Sequence, residues 1–169
     1  MLVRLVSSAD IEAIAAIYNH YVEKSVASFE EATVSVAQIE ERVAKVNALG
    51  LPWFVAEDSQ SNVLGFAYAG PWKTRSAYRF AVELSVYLDA AATSQGWGTK
   101  LYSAVLRALK ETPTRTVVAV ITLPNPASVA IHEKFGLKKV GHFENVGFKF
   151  DQWLDVGYWQ ADMEDIVVQ

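Results

Sequence analysis

Three features of the sequence combine residue types and spacings that could do chemistry. The first is Glu83, inside the alternating run "RFAVELSVYLD". An ionised carboxylate is costly to bury unless it is paired or reaches water, so its side of the strand is expected to open into a cleft. There it can serve as general base for an amine, directly or through a water. A half-exposed ion pair with Arg75 or Arg79 accounts for the residue equally well. The second feature is the loop "TSQGWGTKLY", where Gly96 and Gly98 flank Trp97 just before an apolar stripe of helical spacing. Glycine in a helix costs roughly 1 kcal/mol relative to alanine, which a ligand close to the backbone would offset. Free N–H groups and the positive end of a helix dipole make such a start an anion site, usually for phosphate or pyrophosphate. The spacing is not that of a Walker loop, and Leu101 stands where a dinucleotide fingerprint needs its third glycine. A tight turn with close helix packing is the plainer alternative. The third feature is Ser128 and His132, four apart on one expected helix. No G-x-S-x-G elbow or positioned acid accompanies them, so an activated serine is weakly supported. His20 and His142 lack an i,i+4 histidine or a carboxylate cluster; both are read as structural and no metal site is expected.

The elements that must position these residues follow from periodicity. Residues 2–6 read as a short strand, and "SSADIEAIAAIYNHYV" puts Ile11, Ile14, Ala15, Tyr18, Tyr21 and Val22 on one helical face, with Ser8 as cap. "SVAQIEERVAKVNALG" is a second helix with a Ser35/Gln38 capping box and Gly50 as its stop. "LPWFVAED" and "NVLGFAYAG" form a hairpin around residues 58–62. The next strand points Phe80, Val82, Leu84, Val86 and Leu88 to one side and Ala81, Glu83, Ser85 and Tyr87 to the other. After the glycine loop and its helix, "RTVVAVITL" reads as a central strand covered on both faces. A short helix in "PNPASVAIHEKFG" and two strands around a turn near Asp151 complete the order. The fold class is α/β, a mixed sheet of about seven strands flanked by about four helices, in one domain over residues 1–169.

Composition removes several classes of function. The chain is 51% hydrophobic and 20% charged, ordinary for a globular domain, and its net charge of −4 argues against broad nucleic-acid binding. With no cysteine, disulfides, thiolate metal sites and a cysteine nucleophile are excluded. The N-terminus lacks a signal-peptide pattern and no run reaches about 18 apolar residues, so a soluble, cytoplasmic protein without membrane contact is expected.

The segments "VELSVYLD", "TSQGWGTKLY", "VVAVITLPNPASVAIHEKFG", "AYRFAVE" and "VGFKFDQWLDVGYWQ" together resemble the GCN5-related N-acetyltransferase superfamily. Within it they are similar to the phosphinothricin and methionine sulfoximine acetyltransferase branch, over nearly the whole chain. The resemblance implies middle strands that splay apart to admit acetyl-CoA as cosubstrate. Val86, Tyr87 and Leu88 then meet the pantetheine arm, and Ser94, Gln95, Gly96, Trp97, Gly98 and Thr99 cradle the pyrophosphate. Thr93 departs from the branch's Gln or Arg. Asn125 matches the asparagine that faces the coenzyme, and His132 stands where many relatives carry the tyrosine that protonates the leaving thiolate. Glu83 matches the branch's base; Arg75 and Tyr78 match the segment that holds the substrate's acid groups, Phe29 an aromatic wall, and Lys149 a position near the pocket.

The reaction so implied is direct transfer of acetyl to the α-amine of a small amino-acid analogue, and a homodimer is expected. Acetylation of protein N-termini or lysines is the competing enzyme reading, which Arg75, Arg79 and Tyr78 disfavour because they suit a small polar pocket. A non-catalytic coenzyme-binding module is a third reading, with no need for a costly carboxylate at Glu83.

Overall fold

The computed structural model describes residues 2–168, and within them the alternating and helical patterns produce seven strands and four α-helices. The strands are β1 (Leu2–Leu5), β2 (Trp53–Glu57), β3 (Val63–Pro71), β4 (Ala81–Leu88), β5 (Thr116–Leu123), β6 (Lys138–Lys149) and β7 (Gln152–Asp162). The helices are α1 (Ile11–Lys24), α2 (Val36–Ala48), α3 (Trp97–Leu109) and α4 (Pro126–Lys134). They build one sheet of order β1-β2-β3-β4-β5-β7-β6 in which β4 and β5 alone run parallel.

That parallel pair is short. Ala81–Glu83 pair with Thr116–Val118, and beyond them the two strands part. β4 stays bonded to β3 as far as Leu88, and β5 stays bonded to β7 as far as Leu123. The sheet is therefore open in its middle, as the resemblance implies.

Its two faces carry separate cores. Ile14 and Val22 of α1 and Ile39 and Val43 of α2 close over Val55 and Phe66. On the other face Leu101, Val105, Leu106 and Leu109 of α3 close over Val82, Leu84, Val117 and Ala119. Each fully buried aliphatic side chain contributes roughly 1.5–3 kcal/mol, so this stripe outweighs the roughly 1 kcal/mol cost of a glycine at the start of α3. The alternation of β4 follows the sequence reading except at Phe80, which lies in the turn before the strand and is exposed.

The capping box of α2 forms as expected: Gln38 N donates to Ser35 Oγ at 3.2 Å, and Ser35 N donates to Gln38 Oε1 at 2.8 Å. At α1 the expectation needs correction. A short 3-10 turn, Ser8–Asp10, precedes the helix; Ser7 caps that turn, and Asp10, not Ser8, stands at the N-cap of α1. Asp10 accepts from the Ser7 N–H at 2.7 Å, while both its oxygens are held at 2.8 Å by the Arg4 guanidinium of β1. The Arg4 partnership holds the buried Asp10 carboxyl below the usual carboxylate range and fixes where the helix begins.

β6 and β7 meet at Phe150 and Asp151, whose φ values of 52° and 57° mark a two-residue primed turn. Of the aromatic residues of this hairpin and its turn, Trp159 is in the core, whereas Phe148, Phe150 and Trp153 are exposed. No helix among the described residues is long and apolar enough to cross a membrane.

Candidate active site

A cleft of about 430 Å³ opens where β4 leaves β5. The direction of the β4 main chain there follows from one bond. Asp89 N donates to Leu64 O at 2.8 Å, so Leu88 and its partner Gly65 form the narrow antiparallel pair that exchanges no direct bonds. The N–H and C=O of Leu88, and by alternation those of Val86, turn away from β3 into the cleft. β5 has already diverged, so Val86 has no strand partner on that side.

The start of α3 supplies a further set of main-chain donors, with no side-chain cap. Gly96 is its N-cap at φ +82°, a conformation side chains resist, and no side chain caps the helix. The first bond within the helix runs from Lys100 N to Gly96 O at 3.2 Å, leaving the N–H groups of Trp97, Gly98 and Thr99 ahead of it. Gly98 lines the cleft; a Cβ there would stand 3.2 Å from Ile131 Cδ1 and 3.7 Å from Leu88 Cδ1, both cleft-lining side chains. The two glycines thus have different reasons, one of backbone conformation and one of space.

Of the residues expected to meet a coenzyme, Val86, Tyr87, Leu88, Ser94, Gly98, Asn125 and His132 line this cleft. Gln95, Gly96, Trp97 and Thr99 sit just outside its lining. The Trp97 indole is buried in the core, so only its main chain is offered to a ligand, and Gln95 Nε2 is occupied by Ala91 O at 2.9 Å. Thr93 also lines the cleft, with its hydroxyl donating to Ala90 O at 3.0 Å.

Asn125 caps α4 by accepting from Ser128 N at 3.1 Å. His132 lies one turn further on, buried edge-on against Tyr102, with Nδ1 2.6 Å from Ser128 O. A carbonyl only accepts, so Nδ1 carries the proton and Nε2 is left as an acceptor. Burial lowers the pKa of His132 and favours this neutral form. Ser128 Oγ is 3.5 Å from a nitrogen already committed to the carbonyl, which leaves the serine without an activating base.

Glu83 faces a different space. A second cavity of about 340 Å³ lies on the α2 side of the sheet, lined by Glu83, Tyr68, Arg42 and Lys45 among others. Ser85 lines both cavities, one on either side of β4 at that residue. Among the described residues Glu83 makes no hydrogen bond, and neither Arg75 nor Arg79 pairs with it. Burial raises its pKa, partly opposed by the charge of Lys73. Arg42 and Lys45 are engaged with Glu30 and Glu41, each at 2.8 Å.

The residues expected to hold substrate are more dispersed. Arg75 and Tyr78 are exposed in the turn between β3 and β4, with Tyr78 edge-on to Trp72. Phe29 is exposed, its ring filling the space where a side chain on Gly147 would stand. Lys149 is buried and lines neither cavity: its Nζ donates to Ser25 O at 2.9 Å and Ser28 O at 2.6 Å, anchoring the loop after α1. Two site residues escaped the sequence reading. Ser85 was recognisable as the strand neighbour of Glu83 on the same side. Tyr21 gave no signal of its own, because its spacing is that of the apolar face of α1.

Residues 3–157 match the acetyltransferase (GNAT) domain, and the chain belongs to that family; it is an N-acetyltransferase. It is 38% identical over 162 residues to the phosphinothricin N-acetyltransferase of Streptomyces viridochromogenes, covering 96% of this chain and 87% of the relative. It is 33% identical over 168 residues to the L-methionine sulfoximine/L-methionine sulfone acetyltransferase of Salmonella typhimurium, covering 98% and 96%. Among solved structures, a phosphinothricin acetyltransferase from Sinorhizobium meliloti in complex with AcCoA superposes with a TM-score of 0.92 at 35% identity, covering 95% and 87%.

Proposed function

We propose that this enzyme uses acetyl-CoA to acetylate the α-amine of a small amino-acid analogue carrying a tetrahedral polar group, such as phosphinothricin, methionine sulfoximine or methionine sulfone. The observation that carries the reading is a pair of cavities that share Ser85 as a lining residue, one with open main-chain donors and the other with an unpaired carboxylate. The unpaired Val86 main chain and the uncapped start of α3 fit a pantetheine arm and a pyrophosphate respectively.

Acetyl-CoA, when bound, supplies the activated acetyl group. Glu83, with its pKa raised by burial, is a stronger base than an exposed glutamate and takes a proton from the acceptor ammonium directly or through a water. The Val86 N–H is the donor placed to steady negative charge developing in the splay. His132 in its neutral form has no proton at Nε2 to give, so its part is to fix α4 beside the cleft, and the departing thiolate is protonated from solvent. Arg75 suits a bidentate contact with the substrate's acid group, assisted by Tyr78 and Phe29, and Lys149 acts behind them through the loop it anchors.

The test is thiol release from acetyl-CoA with the three analogues, ordinary amino acids and N-terminal peptides. Turnover confined to the analogues is expected; turnover of peptides alone, or coenzyme binding with no turnover, overturns the acceptor assignment. The enzyme is read as a cytoplasmic homodimer. Phe143, Phe148 and Trp153 on the last hairpin are 55%, 52% and 64% exposed, and β6 is an edge strand. Light scattering at micromolar concentration is expected to give twice the chain mass, and a monomer mass counts against the dimer.

A further inference from the structure

The main-chain groups of Leu88 that turn into the cleft are not free. The Tyr21 hydroxyl donates to Leu88 O at 2.8 Å and lies 3.4 Å from Leu88 N, so one phenol occupies both groups. Tyr21 comes from α1, lines the same cleft as Val86 and Leu88, and has its ring held edge-on by Tyr87 at 5.1 Å. A ligand arm bonding to this edge of β4 therefore finds Val86 open and Leu88 covered.

We infer that Tyr21 is a latch on the coenzyme site: its hydroxyl takes the place of one rung of the ladder between β4 and the arm, and must yield that rung when the coenzyme binds. The inference rests on the proposed placement of the coenzyme arm along β4. Tyr21 is in this sense a positioning residue. It keeps the polar groups of Leu88 satisfied while the splay is open, and it sets part of the cost of coenzyme binding. Exchanging one neutral hydrogen bond for another is close to balanced, so the latch tunes affinity without blocking the site.

Tyr21→Phe keeps the ring and its contact with Tyr87 and removes only the hydroxyl, which separates the latch from packing. Calorimetric titration of the wild type and Y21F should use coenzyme A, and in parallel its adenosine bisphosphate portion, which lacks the arm. Main-chain amide NMR shifts of Val86 and Leu88 should be followed as coenzyme A is added. The expected result is a coenzyme A Kd lowered about threefold to tenfold in Y21F, with the Kd of the nucleotide portion unchanged and the Val86 amide shifted in both proteins. A shifted Val86 amide with unchanged or weaker coenzyme binding in Y21F overturns the latch and leaves the arm placement standing. Equal tightening for the nucleotide portion also overturns the latch. A Val86 amide that ignores bound coenzyme A overturns the arm placement and the latch together.

Discussion

α2 and α3 are both 13 residues long, and they begin in opposite ways. α2 is closed by its own side chains, with Ser35 and Gln38 each satisfying a main-chain N–H of the other. α3 starts at a left-handed glycine and offers its first N–H groups to the cleft. β4 repeats the contrast along its length, paired on both edges at Ala81–Glu83 and on one edge after that. α2 satisfies its own terminus, whereas α3 leaves its terminus open beside the cleft. The open edge of β4 after Glu83 and the uncapped start of α3 both lie beside the cleft.

The largest effect that sharpens this contrast is expected at Glu83, whose carboxylate has no hydrogen-bond partner among the described residues. Glu83→Gln should lower kcat/KM by about a hundredfold to a thousandfold, the range for a lost general base. In the wild type, activity should fall as pH drops through a pKa above that of an ordinary glutamate, and this limb should vanish in the variant. Stability should move the other way. A carboxyl whose pKa is raised by folding holds its proton more tightly when folded, so stability declines as pH rises from the unfolded value through the folded one. Above that window E83Q should melt at a higher temperature than the wild type, and a lower melting temperature there would contradict the burial argument.

The next effect is expected at Gly98. Gly98→Ala puts a methyl group against Ile131 and Leu88 in the cleft while adding a better helix former. Coenzyme A binding should weaken about tenfold with stability changed by less than about 1 kcal/mol, and calorimetry beside denaturant unfolding reads both. Loss of stability with binding intact would mean that the glycine serves packing alone. The smallest effect belongs to the closed helix. Ser35→Ala should cost about 1 kcal/mol of stability and leave the coenzyme Kd where it was, since its cap faces away from the cleft. A changed Kd would show that the two helix starts are coupled and would end the comparison.

Much of this arrangement was legible in the sequence because it is local. The capping box of α2, the hairpin before β4, and the split of β4 into an even side and an odd side each depend on residues within a few positions of one another. What was not legible depends on distant partners. Ser8 read as the α1 cap, but that helix begins after Asp10, which Arg4 on a neighbouring strand fixes. Tyr21 read as one more apolar-face residue, because nothing near it in sequence shows that its hydroxyl meets a main chain 67 positions away. Lys149, placed near the pocket by resemblance, backs the cleft wall and does not line it, since a buried ammonium must find acceptors and two loop carbonyls provide them.

That lysine has a consequence for how the cleft comes into being. Ser25 and Ala27 form part of the cleft wall, yet the loop that carries them is tied down by a residue 124 and 121 positions further along the chain. As the protein emerges from the ribosome, β1 to β5 and the helices between them can assemble while that loop is held only by nearby partners such as Tyr18 and Asn19. The wall is completed when the final hairpin arrives, so competence to bind should be among the last properties a nascent chain acquires.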